Sequence, residues 1–244
     1  MDELLDRGAV IDVVEAELDD TPLHLAAGEG HLNVVKKLIS RGANPNTFSK
    51  WSGLVINAAI RSGRFDLVEL LVDHKVSLFS DHSDAESPLA QAAAMADPAM
   101  IHYLMEKYAR FIRSTDYSKA LVSAAGAGRV DVFKSLLRLG HTTSDYQEAL
   151  DKAAKESKWE IVMIMLERHR GLSCDEPFYQ AATGVDDKDD VLEALWEYTG
   201  GKISEERLDD SLYDAADREK LSTVKLLLDK FNADPNARGH EYVG

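Results

Sequence analysis

The sequence predicts an all-α fold, a solenoid of stacked helix–turn–helix pairs with short β-hairpin-like connectors, some of them truncated. Two columns of residues carry this expectation. An alanine column recurs at Ala26, Ala59, Ala92, Ala124, Ala153, Ala181 and Ala215, at spacings of 33, 33, 32, 29, 28 and 34 residues. Nine residues past each anchor stands a second apolar column of Val35, Val68, Ile101, Phe133, Val162 and Val224, with Val191 the match in the sixth copy after a one-residue insertion.

The first helix of each unit is read from Leu23, Ile56, Leu89, Leu121, Leu150, Phe178 and Leu212, three residues before each alanine and therefore on its face. Alanine at the anchor lets helices approach closely, so a larger residue there overpacks by about 1–3 kcal/mol. Pro22, Pro88 and Pro177 fall in the first turn, where proline is tolerated. Gly30, Gly63 and Gly128 close the first helix where a left-handed residue is wanted. Ala96, Ser157 and Glu219 occupy the same column elsewhere, and the turn is expected to be degenerate there. The second helix ends on apolar pairs such as Leu38-Ile39, Leu71-Val72 and Leu227-Leu228. Trp159, in the column of Leu32 and Phe65, is expected in the core, and Trp196 beneath shortened connectors. The short fourth and fifth spacings predict blunted or missing hairpin fingers.

These columns divide the chain into the end of a preceding repeat (1–15), repeats at 16–48, 49–81, 82–113, 114–142, 143–170, 171–204 and 205–237, and the start of a further repeat (238–244). "ELLDRGAVID" at Glu3–Asp12 matches "KLISRGANPN" at Lys37–Asn46, and no polar capping unit is visible. The chain is therefore expected to be a segment of a longer array, with weak self-association through uncapped ends around Leu4, Leu5 and Leu226.

The period near 33, "TPLHLAAGEGHLNVVKKLISRGANPN" at Thr21–Asn46 and "STVKLLLDKFNADPN" at Ser222–Asn236 resemble ankyrin repeats. The resemblance covers nearly the whole chain and is closest in the first copy. It implies an ankyrin-type α-solenoid that binds a protein or peptide on a concave groove and at hairpin tips. It also implies a Thr–His hydrogen-bond pair, which carries over only to Thr21 and His24. The hairpin asparagines Asn46 and Asn236 become candidates for asparaginyl hydroxylation, although shaping the turn is the simpler role.

Composition and motifs narrow the function. The 28 Lys+Arg against 43 Asp+Glu leave a net charge of −15, which argues against nucleic acid. Cys174 is the one cysteine, so no intrachain disulfide forms, as suits a reducing, intracellular compartment, cytoplasmic or nuclear. The apolar run Ile161–Leu166 is far too short to insert in a membrane. Phosphate-loop, "HExxH" and paired-cysteine zinc motifs are absent, so no cofactor, metal or catalytic residue is expected. "HRGLSC" at His169–Cys174 lacks the context of a thiol nucleophile. The acidic stretch Asp186–Asp190 lacks the glycine and terminal glutamate of a calcium loop and reads as a solvated loop.

A partner surface is expected on the helix columns just past the alanines, carried from the family: Arg61 and Ser62, Ala94 and Met95, Gly126 and Ala127, Lys155 and Glu156. Its middle, Ala94-Met95 and Gly126-Ala127, forms a small apolar floor with a polar rim. Phe48, Lys50 and Trp51 extend it onto a finger, where Trp51 either anchors a partner or folds back on its own hairpin. The function expected is non-catalytic protein–protein interaction. The alternative is a targeting or autoinhibitory segment of a larger enzyme or switch.

Overall fold

A computed structural model of the chain describes residues 3, 6–14, 17, 19–77, 86–95, 98–108, 112–139 and 142–236. Among these, fourteen α-helices follow one another as pairs. They are α1 (Pro22–Gly28) and α2 (Leu32–Ser40), α3 (Val55–Arg61) and α4 (Phe65–Asp73), α5 (Pro88–Met95) and α6 (Pro98–Tyr108), and α7 (Ser114–Ala127) and α8 (Val130–Leu136). After them come α9 (Thr143–Lys155) and α10 (Trp159–Arg168), α11 (Asp175–Thr183) and α12 (Asp189–Thr199), and α13 (Glu205–Asp217) and α14 (Leu221–Asp229).

The chain divides into two compact units, residues 1–123 and 124–244, with the division inside α7. In the first unit α1 stacks on α3 and α3 on α5, while each second helix packs on its own first helix. In the second unit α9, α11 and α13 stack in one layer and α10, α12 and α14 in the other. The alanine anchors lie between the layers and are at most 5% exposed. The second-helix column from Val35 to Val191 is buried as well.

Several features depart from the sequence expectation. The first helices are not uniformly short. α7, α9 and α13 run 13 or 14 residues, against 7 to 9 in the others. In α9 the cause is local: Thr142 Oγ1 accepts from the Asp145 amide at 3.2 Å, and the Asp145 carboxylate accepts from the Thr142 amide at 2.8 Å. That reciprocal cap starts the helix early and turns connector into helix. Among the described residues the only strands are β1 (Phe48–Ser49) and β2 (Gly53–Leu54), antiparallel with Phe48 opposite Leu54. The connectors after α8 and α10 contain no strand in their described residues, as the short spacings predict.

The second departure concerns the turn between paired helices. Gly30, Gly63 and Gly128 adopt φ near +70°, and so do Ser157 (φ 56°) and Glu219 (φ 58°). The hydrogen bonds are the same too. His31 N donates to Ala26 O at 2.9 Å, and Lys220 N donates to Ala215 O at 2.9 Å. The turn keeps its geometry where glycine is lost, because these bonds satisfy the carbonyls at the helix end. Ala96 lies outside the described residues. In the sixth pair the inserted residue replaces this turn, and Lys220 fills the gap. Its buried ammonium donates to the carbonyls of Ala182, Gly184 and Asp186 at 3.1, 2.9 and 3.0 Å and lies 3.6 Å from the Asp187 carboxylate. The acidic stretch is therefore more than a solvated loop: its backbone holds a lysine of the next pair.

Trp159 is half-buried rather than in the core, and its column is a surface position, with Phe65 37% and Leu221 74% exposed. Trp196 packs against Phe231, just past α14, with ring centroids 4.8 Å apart, and against Phe178 of α11 at 6.4 Å, rather than against a residue of the shortened connectors. An L side chain in the left-handed region costs roughly 1–2 kcal/mol, part of which glycine returns as unfolded-chain entropy. Ser157→Gly is thus expected to raise stability by about 0.5–1 kcal/mol, read from the urea midpoint. An unchanged or lower midpoint contradicts the strain at this turn.

Candidate functional site

The finger at residues 48–54 is held by one hydroxyl. Ser49 Oγ accepts from the amides of Trp51 at 3.1 Å and Ser52 at 3.0 Å, so the turn is rigid. Ser52 Oγ donates to the buried Asp20 carboxylate at 2.9 Å, which ties the finger to the start of the first helix pair. At the tip Trp51 is 73% exposed, while Phe48 is half-buried. Trp51 does not fold back. Lys50 pairs with Asp19 at 2.9 Å.

His24 underlies this finger. Its Nδ1 accepts from the Thr21 amide at 3.2 Å and lies 2.9 Å from Thr21 Oγ1, while Nε2 donates to Gly53 O at 3.1 Å. These partners fix the neutral ring, with the proton on Nε2. Burial, outweighing the nearby Asp20 charge, lowers the His24 pKa below its ordinary 6.5. The sequence expectation restricts the Thr–His pair to the first copy, and the cap is indeed made there. Its inter-repeat half recurs at Asn57, whose Nδ2 donates to Glu86 O at 3.1 Å. The signal was available: Asn57 stands 33 residues after His24, and Glu86 33 after Gly53.

The other expected surface residues divide by unit. In the first, Arg61 is exposed and donates to Ser52 O at 3.0 Å, and Ser62 Oγ donates to Ala59 O at 2.7 Å. Ala94 is half-buried and Met95 is 55% exposed. In the second, Ala127, Lys155 and Glu156 are exposed. Gly126 is buried, and a Cβ there would come within 2.9 Å of the Lys152 stem. The lysine stem thus covers this part of the expected apolar floor.

Asn46 Oδ1 accepts from the Ser77 amide at 2.7 Å, and Asn236 N donates to Asp234 Oδ1 at 2.9 Å, so both asparagines shape connectors. Cys174 is buried. Burial, with Asp151 and Asp175 nearby, pushes its thiol up to about 12, which keeps it protonated and unreactive. His169 stacks on Tyr146 with centroids 3.9 Å apart. Among the described residues no cluster of His, Cys, Asp and Glu is placed to hold a metal ion, and no helix is long and apolar enough to cross a membrane.

Sequence reasoning missed one group altogether, on α11 and α13. The Tyr179 hydroxyl donates to the Asp214 carboxylate at 2.5 Å, and Arg207 pairs with Glu176 at 3.0 Å. Glu176 and Tyr179 stand in the Thr21 and His24 columns, five and two residues before the anchor Ala181, and reading those columns for a Thr–His pair alone hid their different partners.

Paired helices stacked through alanine columns, with exposed first-helix edges and a rigid finger, define a helical-repeat protein of the interaction-module class. Residues 23–116 match the family model of ankyrin repeats, in three copies. Residues 23–116 thus belong to the ankyrin-repeat family. The chain is 27% identical over 168 residues to the ankyrin repeat and KH domain-containing protein mask-1 of Caenorhabditis elegans, covering 68% of this chain and 5% of that protein. It is 32% identical over 80 residues to the liver glutaminase of Rattus norvegicus, 32% of this chain and 13% of the enzyme. A putative fowlpox virus ankyrin repeat protein is 23% identical over 151 residues, covering 57% of this chain and 35% of the viral protein. The chain thus spans about a third or less of the length of these relatives. The human ASB11 ankyrin repeat domain shares the fold, with a TM-score of 0.65 at 21% identity, covering 88% of this chain and all of that one.

A group with a lowered folded pKa contributes stability above its unfolded pKa, and that contribution is lost as pH falls through the folded value. Stability is therefore expected to drop as pH is lowered from neutrality through the ordinary histidine range, because the unfolded chain takes up a proton there that the buried ring resists. In His24→Asn the side chain takes the role of Asn57 and cannot titrate. Denaturant midpoints across this range should flatten in that variant, and a drop as steep as in the unaltered protein would contradict the role of His24.

Proposed function

We propose that the chain is a non-catalytic module that docks a protein or peptide on the exposed edges of its first helices and on the finger at residues 48–54. The observation that supports this best is Trp51, an aromatic ring largely in solvent on a turn already fixed by Ser49. A rigid, exposed indole contributes contact area at little ordering cost, as binding hot spots do. Phe48, Lys50, Arg61, Ser62, Ala94 and Met95 belong to the same surface in the first unit. Ala127, Lys155 and Glu156, with Gly126 beneath Lys152, belong to the surface of the second. A single buried thiol suits an intracellular setting.

A second reading is favoured by the relatives: the array targets or restrains a larger protein. The matches include a glutaminase, a Drosophila palmitoyltransferase Hip14 and a human transient receptor potential channel, of which this chain spans 13%, 6% and 13%. Both readings use the same surface.

The test is direct. Once a partner is isolated by affinity capture, Trp51→Ala is expected to weaken its binding by about 1 kcal/mol or more, roughly fivefold or greater. A smaller loss removes Trp51 as the anchor. Self-association belongs to this reading as well. Leu4 and Leu5 lie outside the described residues, Leu226 is half-buried, and Ala216 and Leu221 are exposed on α13 and α14. Sedimentation is expected to show the apparent mass rising with concentration, and a strict monomer throughout contradicts this.

A further inference from the structure

In the second unit α9, α11 and α13 border a cavity of about 350 Å3. Asp151 of α9, Asp175 and Glu176 of α11 and Glu206 of α13 line it, with Arg207 as the one cation among its lining residues. Arg207 is already committed. Its Nη2 lies 3.0 Å from the Glu176 carboxylate, its Nη1 3.6 Å from Asp210, and its Cζ 5.1 Å from the centroid of the Tyr179 ring. On α9 itself Lys152 pairs with Glu156 at 2.9 Å, and Lys155, one turn past Asp151, is exposed. Among the described residues no cation pairs with Asp151.

Asp151 stands two residues before its anchor, in the column of His24, Asn57 and Tyr179. Each of those three donates a hydrogen bond to the following repeat: to Gly53 O, to Glu86 O and to the Asp214 carboxylate. An ionised carboxylate cannot donate. The bond to the next connector is made one helical turn earlier instead, by Gln147. Its Nε2 donates to Ser173 O at 3.0 Å, and its Oε1 accepts from the Ser173 amide at 2.8 Å. Nε2 also donates to Asp151 Oδ1 at 2.9 Å. Asp151 is half-buried, and burial above all raises its pKa; the Gln147 bond lowers it, and the Glu176 charge raises it. Cys174 stays protonated beside it and adds no charge.

Like charges on α9 and α11 oppose the stacking of these helices while both are ionised. A proton on Asp151 removes that repulsion, leaves an oxygen to accept from Gln147, and makes the side chain a donor like the others in its column. We infer that Asp151 is a protonation switch in the stack of α9 on α11, one that tightens the second unit as pH falls. A carboxyl group with a raised folded pKa costs stability above that pKa, and the cost disappears as pH falls through it. The sense is opposite to that expected at His24, so acidification shifts the balance of stability between the two units.

Urea unfolding of the full chain and of Asp151→Asn over a series of pH values tests this. Asparagine copies the protonated side chain: it accepts from Gln147, can donate, and carries no charge. At about pH 7.5 the variant is expected to have the higher urea midpoint, by roughly 0.2 M or more, and the gap is expected to narrow as pH falls to about 4. Taking the difference at each pH cancels the contribution of His24. A smaller or negative difference near neutrality, or a gap that does not narrow, overturns the inference. Should the variant fail to fold, carboxyl-carbon NMR of the unaltered chain decides. The Asp151 carboxyl is expected to titrate at higher pH than the exposed aspartates, and titration with them or below them overturns the inference.

Discussion

Close stacking of first helix on first helix is the constraint from which the rest of this structure follows. The anchor alanines are at most 5% exposed between neighbouring helices. Beside them, a Cβ on Gly28 of α1 would lie in ordinary contact, 4.0 Å, with that of Ala58 on α3. Protein interiors at this density pass any change of volume on to their neighbours. The two helices of a pair must therefore turn sharply, within a residue or two, so that the second helix packs behind the first. The left-handed residue provides that turn, and its geometry persists at Ser157 and Glu219 because the stacking requires it.

A second consequence is that connectors run side by side, one per repeat, with backbone groups to satisfy and little strand to do it. The solution recurs in different side chains. Asp12 accepts from the Asn44 amide, Asn46 from Ser77, Gln147 from Ser173 and Asp175 from Ser204, each across one repeat. Carboxylates and amides of one repeat thus bond connector amides of the next, where a β-ladder would otherwise run. The same economy appears at the helix ends. Arg64 donates to Gly30 O at 3.3 Å, and Lys220 donates to three carbonyls around Gly184. There a cation meets the negative end of the preceding first helix.

Each unit, taken by itself, offers a different chemistry. The first presents an indole on a rigid turn and a thioether at the end of α5. The second presents tyrosines among carboxylates on α11 and α13. Trp51, Met95 and Tyr213 lie in solvent outside the packed columns, so these positions vary at little cost to the fold. A repeat scaffold separates the residues that build it from those that bind.

This separation also explains what was legible in the sequence. The pairs, the anchors and the tight turns were readable because helical period and methyl-sized volume select few residue types, and those types recur in step. The role of His24 was readable from the family resemblance alone, through the Thr–His pattern of the first copy. The family's Thr–His pattern obscured Asn57, which makes the same inter-repeat bond with different chemistry. The early start of α9, the lysine held by the Asp186 loop, the exposed column of Trp159 and the seat of Arg207 on Tyr179 were settled only in three dimensions. All but the Trp159 column depend on polar partners between roughly 3 and 40 residues apart, and many residue types can meet such a need once the helices are stacked. By itself the sequence determined the repeat and its packing columns, since volume and period are written in residue type. The tertiary structure alone decided which polar groups meet across repeats and which rings are left exposed, since those depend on distances that no single column encodes.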